Sequence, residues 1–295
     1  MKCTRLIFAL ALTFAAFADA RTIHTERSLY QNILVTQEGD LRCLKFTARR
    51  NERRQSCIDL GEPDLLVFTY TRMMLAGLLV AEDPQRILVV GLGGGTLPTL
   101  LGSLFPTAHI TVVEIDPAVV KVAYRYFDYV ADDRTKVVEQ DARVFGKRAG
   151  LAGDQFDLIL LDAFNSDYIP EHLMTREYLE ETRALLTEGG VLVSNTFAIS
   201  DLYHHESVTY EAVFGEFLNL RIPNSANRIV IATDGPLPLE GALDAAARRW
   251  QSILKPYGVQ LNRYRRHLSR EPDWDPDARV LTDQYAPANL LQGSP

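Results

Sequence analysis

A glycine-rich turn and two acidic residues downstream of it are the residues best suited to bind a ligand. The turn, Gly91-Leu92-Gly93-Gly94-Gly95-Thr96, follows the apolar run 86–90, and its glycines let the backbone approach a bound molecule closely. Glu114 ends the next apolar run, and Asp141 follows the third. A carboxylate at Glu114 can accept both ribose hydroxyls, and one at Asp141 can accept the amino group of adenine. This spacing predicts an adenosine-containing ligand at the carboxyl ends of three successive strands.

Each of these residues also has a simpler explanation. A tight turn alone requires glycines, and Glu114 or its neighbour Asp116 can cap the helix predicted to begin near Pro117. A nicotinamide dinucleotide would use the glycines and Glu114 as well, although Thr96 stands where its third glycine is expected. A dehydrogenase therefore stays open beside other enzymes that bind adenosine.

Strands and helices that alternate from residue 85 onward position these residues. Continuous apolar strands alternating with helices indicate a parallel sheet covered on both faces. The helix predicted at 175–186 has Thr175 as its cap and Gly189-Gly190 as its stop. We therefore predict an α/β fold with a mostly parallel sheet and a closing antiparallel pair. The predicted strands are 86–90, 109–113, 136–138, 156–161 and 190–194, with 217–223 and 228–233 as the closing pair; further helices are predicted at 117–127, 203–217 and 239–254.

The first twenty residues are typical of a signal peptide. Lys2 and Arg5 precede the apolar run Leu6–Ala18, and Ala18-Asp19-Ala20 is a small-x-small cleavage pattern. A helix of this length reaches only about 20 Å, which is short of the roughly 30 Å of a bilayer core. We predict cleavage after Ala20 and a periplasmic or secreted protein without a stable membrane span. The alternative is a retained N-terminal membrane anchor.

Only Cys43 and Cys57 remain after that cleavage, and an exported protein meets an oxidising compartment. They lie in two strand-like segments, 30–46 and 54–60, around a polar stretch. A hairpin centred on Arg50 places the two cysteines opposite each other. The sequence is compatible with a disulfide between them and equally with two separate small core residues. We predict that Cys43 and Cys57 are disulfide-bonded in the exported protein.

The composition excludes several classes of function. Lys and Arg number 31 against 38 Asp and Glu, which gives a formal charge of −7. An acidic chain lacks the basic surface that nucleic acids require, so no nucleic-acid partner is predicted. The three cysteines are too few for a four-thiolate site, and the six histidines show no metal-ligand spacing.

Five segments together carry a resemblance to a known family: Ser28–Val35, Gly94-Gly95-Thr96-Leu97, Val112–Asp116, Asp162–Asp167 and the tail Leu281–Pro287. They resemble the spermidine synthase (polyamine aminopropyltransferase) family, in its spermidine-synthase-like branch. The resemblance covers about residues 28–291. It implies a methyltransferase-like Rossmann domain, residues 73–295, preceded by a small N-terminal β-hairpin domain, residues 21–72, and it implies a homodimer.

The resemblance also implies an activity. Enzymes of this family transfer the aminopropyl group of decarboxylated S-adenosylmethionine to an amine such as putrescine, with no metal and no permanently bound cofactor. By this likeness Gln31, Glu114 and Asp141 contact the nucleoside. Asp162 opens the catalytic loop and, with Tyr70, contacts the amine substrate.

Three positions depart from the family pattern. Gly93 stands where family members carry an Asp inside the glycine turn. Arg72, two residues after Tyr70, replaces a Glu, and Asn165 replaces the second Asp of the catalytic loop. A polycationic amine needs carboxylates or aromatic faces at spaced points. The departures fall in the amine-binding half of the site, whereas the nucleoside-binding half keeps the family's residues.

The chemistry that the resemblance implies gives Asp162 a role as general base. An amine that attacks the carbon beside a sulfonium must lose a proton, and a carboxylate at the end of the fourth strand can take it. Asn165 cannot act as a base, but its amide oxygen can orient an ammonium group. Asp167 is the nearest carboxylate able to replace the missing acid, and a solvated loop position is its alternative.

Three functions remain. The first is an aminopropyltransferase of the spermidine synthase type, and the second is a methyltransferase that uses intact S-adenosylmethionine. The residues that bind the nucleoside do not distinguish these two donors. The third is a non-catalytic homologue that binds a nucleoside or a polyamine.

Overall fold

The computed structural model describes residues 20–47, 52–163, 170–198 and 200–293. Within these ranges the N-terminal strands form a four-stranded antiparallel sheet in the order β1-β2-β3-β4. The prediction of one strand-like segment over 30–46 is wrong, because a two-residue turn at Gly39-Asp40, with Gly39 at a φ of 57°, divides it. The strands are β1 Arg21–Glu26, β2 Ile33–Glu38, β3 Leu41–Thr47 and β4 Glu52–Asp59.

The register of β3 against β4 brings the two cysteines together. Cys43 pairs with Cys57 as the hairpin centred on Arg50 predicts, and the two form a disulfide. The predicted register is confirmed from Leu41 to Leu44 and then shifts by one residue, because Gln55 is an extra, unpaired residue in β4. Such a bulge turns the bulged strand locally.

The larger sheet lies C-terminal to this hairpin. In the part of the chain that the structure describes, its eight strands follow the order β12-β10-β11-β9-β8-β5-β6-β7. Neighbours among β5 to β9 are parallel, and β10 and β11 close the sheet as an antiparallel pair, which confirms the predicted α/β fold. The strands are β5 Arg86–Val90, β6 His109–Glu114, β7 Thr135–Glu139, β8 Phe156–Leu161, β9 Leu186–Phe197, β10 Leu218–Arg221, β11 Asn227–Thr233 and β12 Leu268–Ser269.

Helices cover both faces of this sheet. The helices are α1 Thr69–Met74, α2 Thr96–Leu104, α3 Pro117–Tyr126, α4 Ala142–Ala152, α5 Arg176–Arg183, α6 Leu202–Phe214, α7 Glu240–Leu254, α8 Leu261–His267 and α9 Ala288–Gln292, with 3₁₀ segments at Leu75–Leu79 and Glu171–Leu173. One core joins α1, α2 and α7 through residues such as Met73, Leu101 and Trp250. The other joins α4, α5 and α6 through Phe145 and Leu179. Strands buried on both faces explain the continuous apolar runs of the sequence.

The N-terminal sheet packs on the larger domain through α3. Ile33, Val35 and Leu44 are fully buried against Val122 and Phe127. Alternate residues of β2 face this core, as expected for a sheet with one covered face. The division between domains at residue 72 stays a prediction.

The helix predicted at 175–186 is shorter than expected. Thr175 is its N-cap, as predicted, and accepts the backbone N–H of Tyr178. The helix ends at Arg183, because Leu186 already pairs with Phe156 in the sheet. The prediction that Gly189-Gly190 stops this helix is therefore wrong, since both glycines lie within β9. None of the helices in the described ranges has the length and apolar character of a membrane span.

Candidate active site

A cavity of about 610 Å³ opens at the carboxyl ends of β5, β6 and β8. It lies where β6 and β8 flank β5 on opposite sides, which is the usual ligand crevice of a parallel sheet. Phe46, Gln55 and Ser56 of the N-terminal sheet close one wall. The predicted site residues that line the cavity are Gln31, Tyr70, Gly91, Gly93, Glu114, Asp141 and Asp162. Asn165 and Asp167 lie outside the described residues.

Two positions of the turn require glycine for different structural reasons. Gly91 has a φ of 97°, and a Cβ there would lie 2.3 Å from the backbone oxygen of Asp162, so only glycine lets these two loops meet. A Cβ on Gly94 would lie 2.8 Å from Ser56 Oγ and 2.9 Å from a ring atom of Phe127. Gly94 is therefore a packing position beneath the N-terminal sheet and is not part of the cavity lining.

Glu114 is fixed at the end of β6 by two backbone donors. Leu92 N–H donates to Oε2 and Asp116 N–H donates to Oε1, both at 3.0 Å. Burial raises the pKa of Glu114, and the hydrogen bonds from Leu92 and Asp116 oppose that rise. The helix cap is Asp116, which accepts the N–H of Ala118 and the hydroxyl of Ser28. Glu114 therefore keeps one lone pair on each oxygen for a ligand.

Asp141 lies at the opposite rim and serves as the N-cap of α4. Its Oδ1 accepts the N–H groups of Arg143 and Val144 at 3.0 Å, and its Oδ2 lies 2.9 Å from Nε2 of His172. Burial alone would raise the pKa of Asp141, but the bonds from Val144 and His172 outweigh it, and the pKa lies below its usual value. This carboxylate is charged and already holds three donors.

Asp162 ends β8 on the floor of the cavity. Asn195 of β9 donates from Nδ2 to Oδ1 of Asp162 at 2.9 Å, and Asn227 of β11 donates to Asn195 Oδ1 at 2.9 Å. Burial raises the pKa of Asp162 to about 7, although hydrogen bonds from Asn195 and Tyr70 oppose the rise. Burial and the charge of Asp162 raise the pKa of Tyr70, so its hydroxyl remains a donor. At neutral pH about half of the groups with this pKa are ionised, and the carboxylate form can take a proton from an attacking amine.

Comparisons with known proteins agree with this geometry. A family model described as the spermine/spermidine synthase domain matches residues 67–221. A polyamine aminopropyltransferase of Vibrio vulnificus (strain CMCP6) is 49% identical over 292 residues, covering 97% of this chain and 98% of the relative. The chain belongs to the spermine/spermidine synthase family. The resemblance seen in its sequence motifs is thereby confirmed.

Solved structures confirm the fold. A probable spermidine synthase from Corynebacterium glutamicum matches with a TM-score of 0.66 and 22% identity, covering 85% of this chain and 96% of that one. Human methyltransferase-like protein 13 in complex with SAH matches with a TM-score of 0.58 and 27% identity, covering 74% and 99%. The methyltransferase-like sheet with a separate N-terminal sheet is therefore the shared architecture.

One departure from the family pattern has a clear structural outcome. Arg72 donates from Nε to the carbonyl of Leu66 and from Nη2 to the carbonyl of Val67, both at 2.7 Å. Its charge is held by the loop before α1 and does not enter the cavity. Among the lining residues that the structure describes there is no Lys or Arg, and His172 is the one group able to carry a positive charge.

The sequence did not single out four polar residues of this site. Asn195 carries a signal that can be recognised, since a buried Asn in an apolar strand must find a hydrogen-bond partner, whereas its partner Asn227 is only half-buried and carries no such signal. Gln55 reaches the cavity wall through a bulge, and no sequence motif marks it. His172 lies in a short 3₁₀ segment and likewise carries no pattern that predicts its contact with Asp141.

Proposed function

We propose that this family member is a polyamine aminopropyltransferase, which transfers the aminopropyl group of decarboxylated S-adenosylmethionine to an amine such as putrescine. The charge of the cavity is the observation that carries the proposal. Glu114, Asp116, Asp141 and Asp162 line it, and the described lining residues include no Lys or Arg. The decarboxylated donor carries a sulfonium and an ammonium group, and the acceptor is a polycation, so both gain from such surroundings.

The residues that line the cavity have different roles in binding and catalysis. Glu114 holds the ribose hydroxyls with its free lone pairs, and Asp141 meets the adenine at the rim. Asp162 accepts a hydrogen bond from the attacking amine and takes its proton as the new carbon–nitrogen bond forms and the carbon–sulfur bond breaks. Tyr70 and Asn195 hold the Asp162 carboxyl in one orientation, which keeps nitrogen, carbon and sulfur in line.

A methyltransferase is the second candidate. The likeness to human methyltransferase-like protein 13, solved with SAH, favours it. Intact S-adenosylmethionine carries a carboxylate where the decarboxylated donor has none, and that group would lie among the carboxylates of this cavity. The departures at Gly93, Arg72 and Asn165 favour the third candidate, a non-catalytic binding protein, because each removes an acid.

We expect the decarboxylated donor to bind about tenfold or more tightly than the intact donor, since one carboxylate is removed from an acidic cavity. Calorimetric titration with both donors, methylthioadenosine and putrescine measures this, and release of methylthioadenosine with putrescine measures turnover. The Asp162→Asn variant is the control, because it should bind the donor without releasing the product. Preference for the intact donor would support a methyltransferase, and product binding without turnover would support a silent homologue.

We also propose that the chain is exported and cleaved after Ala20, and that the Cys43–Cys57 disulfide forms there. The N-terminal pattern of Lys2 and Arg5 before an apolar run supports export. The intact mass of protein from the periplasmic fraction should match residues 21–295, and reductant should add the mass of two hydrogens. The Cys57→Ser variant should show no such shift. Two free thiols, or residues 1–20 still attached, would contradict the proposal.

A further inference from the structure

We propose that the C-terminal turn Leu281–Pro287 is a working part of the nucleoside site, and that Asp283 acts in it as a positioning residue. Asp283 does not line the cavity. It holds Arg143, and Arg143 in turn fixes the two rim residues Asp141 and His172. The proposal rests on the nucleoside-binding cavity of the proposed function and assigns a role to a segment that the fold alone leaves unexplained.

The turn is anchored on the larger domain through its backbone. Thr282 and Tyr285 exchange two backbone hydrogen bonds of 2.8 Å, which close the turn. Arg176 N–H donates to the carbonyl of Leu281 at 2.8 Å, and Leu281 N–H donates to Thr209 Oγ1 at 2.9 Å. Leu281 itself is fully buried. The position of residue 283 is therefore set by the surrounding helices.

Asp283 accepts hydrogen bonds from Arg143 with both carboxylate oxygens. Nη1 of Arg143 donates to Oδ1 at 2.6 Å, and Nη2 donates to Oδ2 at 2.7 Å. The hydroxyl of Thr175, the N-cap of α5, donates to the same Oδ1 at 2.8 Å. The Arg143 bonds hold the pKa of Asp283 below its usual range, so the carboxylate is charged at neutral pH. Paired bonds of this kind fix orientation as well as distance.

Arg143 has every donor engaged. Its Nε and Nη2 donate to the two oxygens of Glu181 in α5 at 2.9 Å, and Nη1 also lies 3.4 Å from the carbonyl oxygen of His172. Together with the pair to Asp283, these bonds use the five N–H groups of a guanidinium. The side chain is 13% exposed. Arg143 thus joins α4, α5, the 3₁₀ segment and the C-terminal turn.

The link from Arg143 to the cavity is short. The backbone N–H of Arg143 donates to Asp141 Oδ1. The side chain of Arg143 contacts the carbonyl of His172, and the ring of His172 in turn contacts Asp141 Oδ2. Loss of the Asp283 charge leaves Arg143 with one carboxylate partner, Glu181, and so weakens the restraint on the Arg143 side chain and on the His172 carbonyl that it contacts. His172 and Asp141 then sample more orientations, and a nucleoside must order them when it binds.

We expect Asp283→Asn to raise the Kd for methylthioadenosine about tenfold and the KM for the donor by a similar factor, with kcat changed by less than about twofold. The substitution keeps the size of the side chain and the Thr175 contact but removes the charged pair. Asp273→Asn is the matched control, because Asp273 also pairs with an arginine, Arg221, at 2.7 Å and does not line the cavity. Its binding should equal that of the wild type.

A His172→Ala background tests the route through the rim. There, Asp283→Asn should raise Kd by clearly less than it does in the wild-type background, because the imidazole that connects residue 172 to Asp141 Oδ2 is absent. A full effect in that background, an unchanged Kd for Asp283→Asn, or a fall in kcat alone would each overturn the proposal. If the wild-type protein binds no methylthioadenosine, both the proposed function and the role of Asp283 are rejected. If Asp283→Asn does not fold, Arg143→Lys should give the same rise in Kd, because Lys keeps the positive charge but cannot make the paired hydrogen bonds of the guanidinium.

Discussion

Asp162→Asn is expected to lower turnover by about 10² to 10⁴ while donor affinity stays close to that of the wild type. The amide keeps the shape of the side chain but cannot take the proton of the attacking amine. Because Asn195 donates to Asp162 Oδ1 in the wild type, the variant amide can still present its oxygen to that donor. Stopped assays of methylthioadenosine release with putrescine measure the loss.

The pH dependence of the same pair of proteins separates a base from a binding residue. With the pKa of Asp162 raised to about 7 in the free protein, wild-type kcat/KM should rise with pH through that value, and the variant should lack this inflection. Burial favours the protonated carboxyl, so the contribution of Asp162 to stability is complete below the usual Asp pKa of about 4 and is lost as pH rises through 7. The variant should therefore gain stability relative to the wild type at pH 8 compared with pH 5 in thermal unfolding.

Asp201→Asn is the control for both measurements. Asp201 is exposed at the start of α6, makes no side-chain cap bond and does not line the cavity. Its activity, pH profile and stability should follow those of the wild type. Full activity of Asp162→Asn would place the base elsewhere, with Asp167 as the next carboxylate to replace.

The sequence predicted the fold and the nucleoside half of the site because both depend on local signals. The apolar runs of β5, β6 and β8 are continuous, and the polar residues that follow them, such as Glu114 and Asp162, must lie at the same edge of a parallel sheet. The sequence missed the turn at Gly39-Asp40, because a polar two-residue turn between similar strands leaves little contrast in the pattern.

Contacts between distant segments could not be predicted in this way. Asn195 and Asp162 lie 33 positions apart, and Asp283 and Arg143 lie 140 apart. Each pair forms because helices and strands pack in three dimensions, and no periodicity of the chain encodes the contact. Arg72 shows the same limit, since the sequence shows only that it replaces a Glu, whereas its contacts with the carbonyls of Leu66 and Val67 are visible only in the structure.

Glu114→Gln is expected to raise the Kd for methylthioadenosine by about a hundredfold, and Asp141→Asn by only about tenfold. A carboxylate that accepts both ribose hydroxyls makes two charge-assisted bonds, each contributing about 1.5–3 kcal/mol. The Gln amide has a further defect, because both Glu114 oxygens already accept backbone N–H groups, from Leu92 and Asp116. Either orientation of the amide turns its NH₂ toward one of these donors, which leaves a buried N–H without its acceptor.

Asp141→Asn keeps more of the hydrogen bonds of the wild-type residue than Glu114→Gln does. Asn is as good an N-cap as Asp, so the bonds from Arg143 and Val144 to Oδ1 can persist in the variant. Only the contact of Oδ2 with His172 and one bond to the adenine change character. Titration of wild type and both variants with methylthioadenosine gives the three Kd values, and thermal unfolding checks that each variant is folded. Equal affinities for all three proteins would reject nucleoside binding at this cavity, and a larger loss in Asp141→Asn would move the main anchor of the nucleoside from the end of β6 to the start of α4.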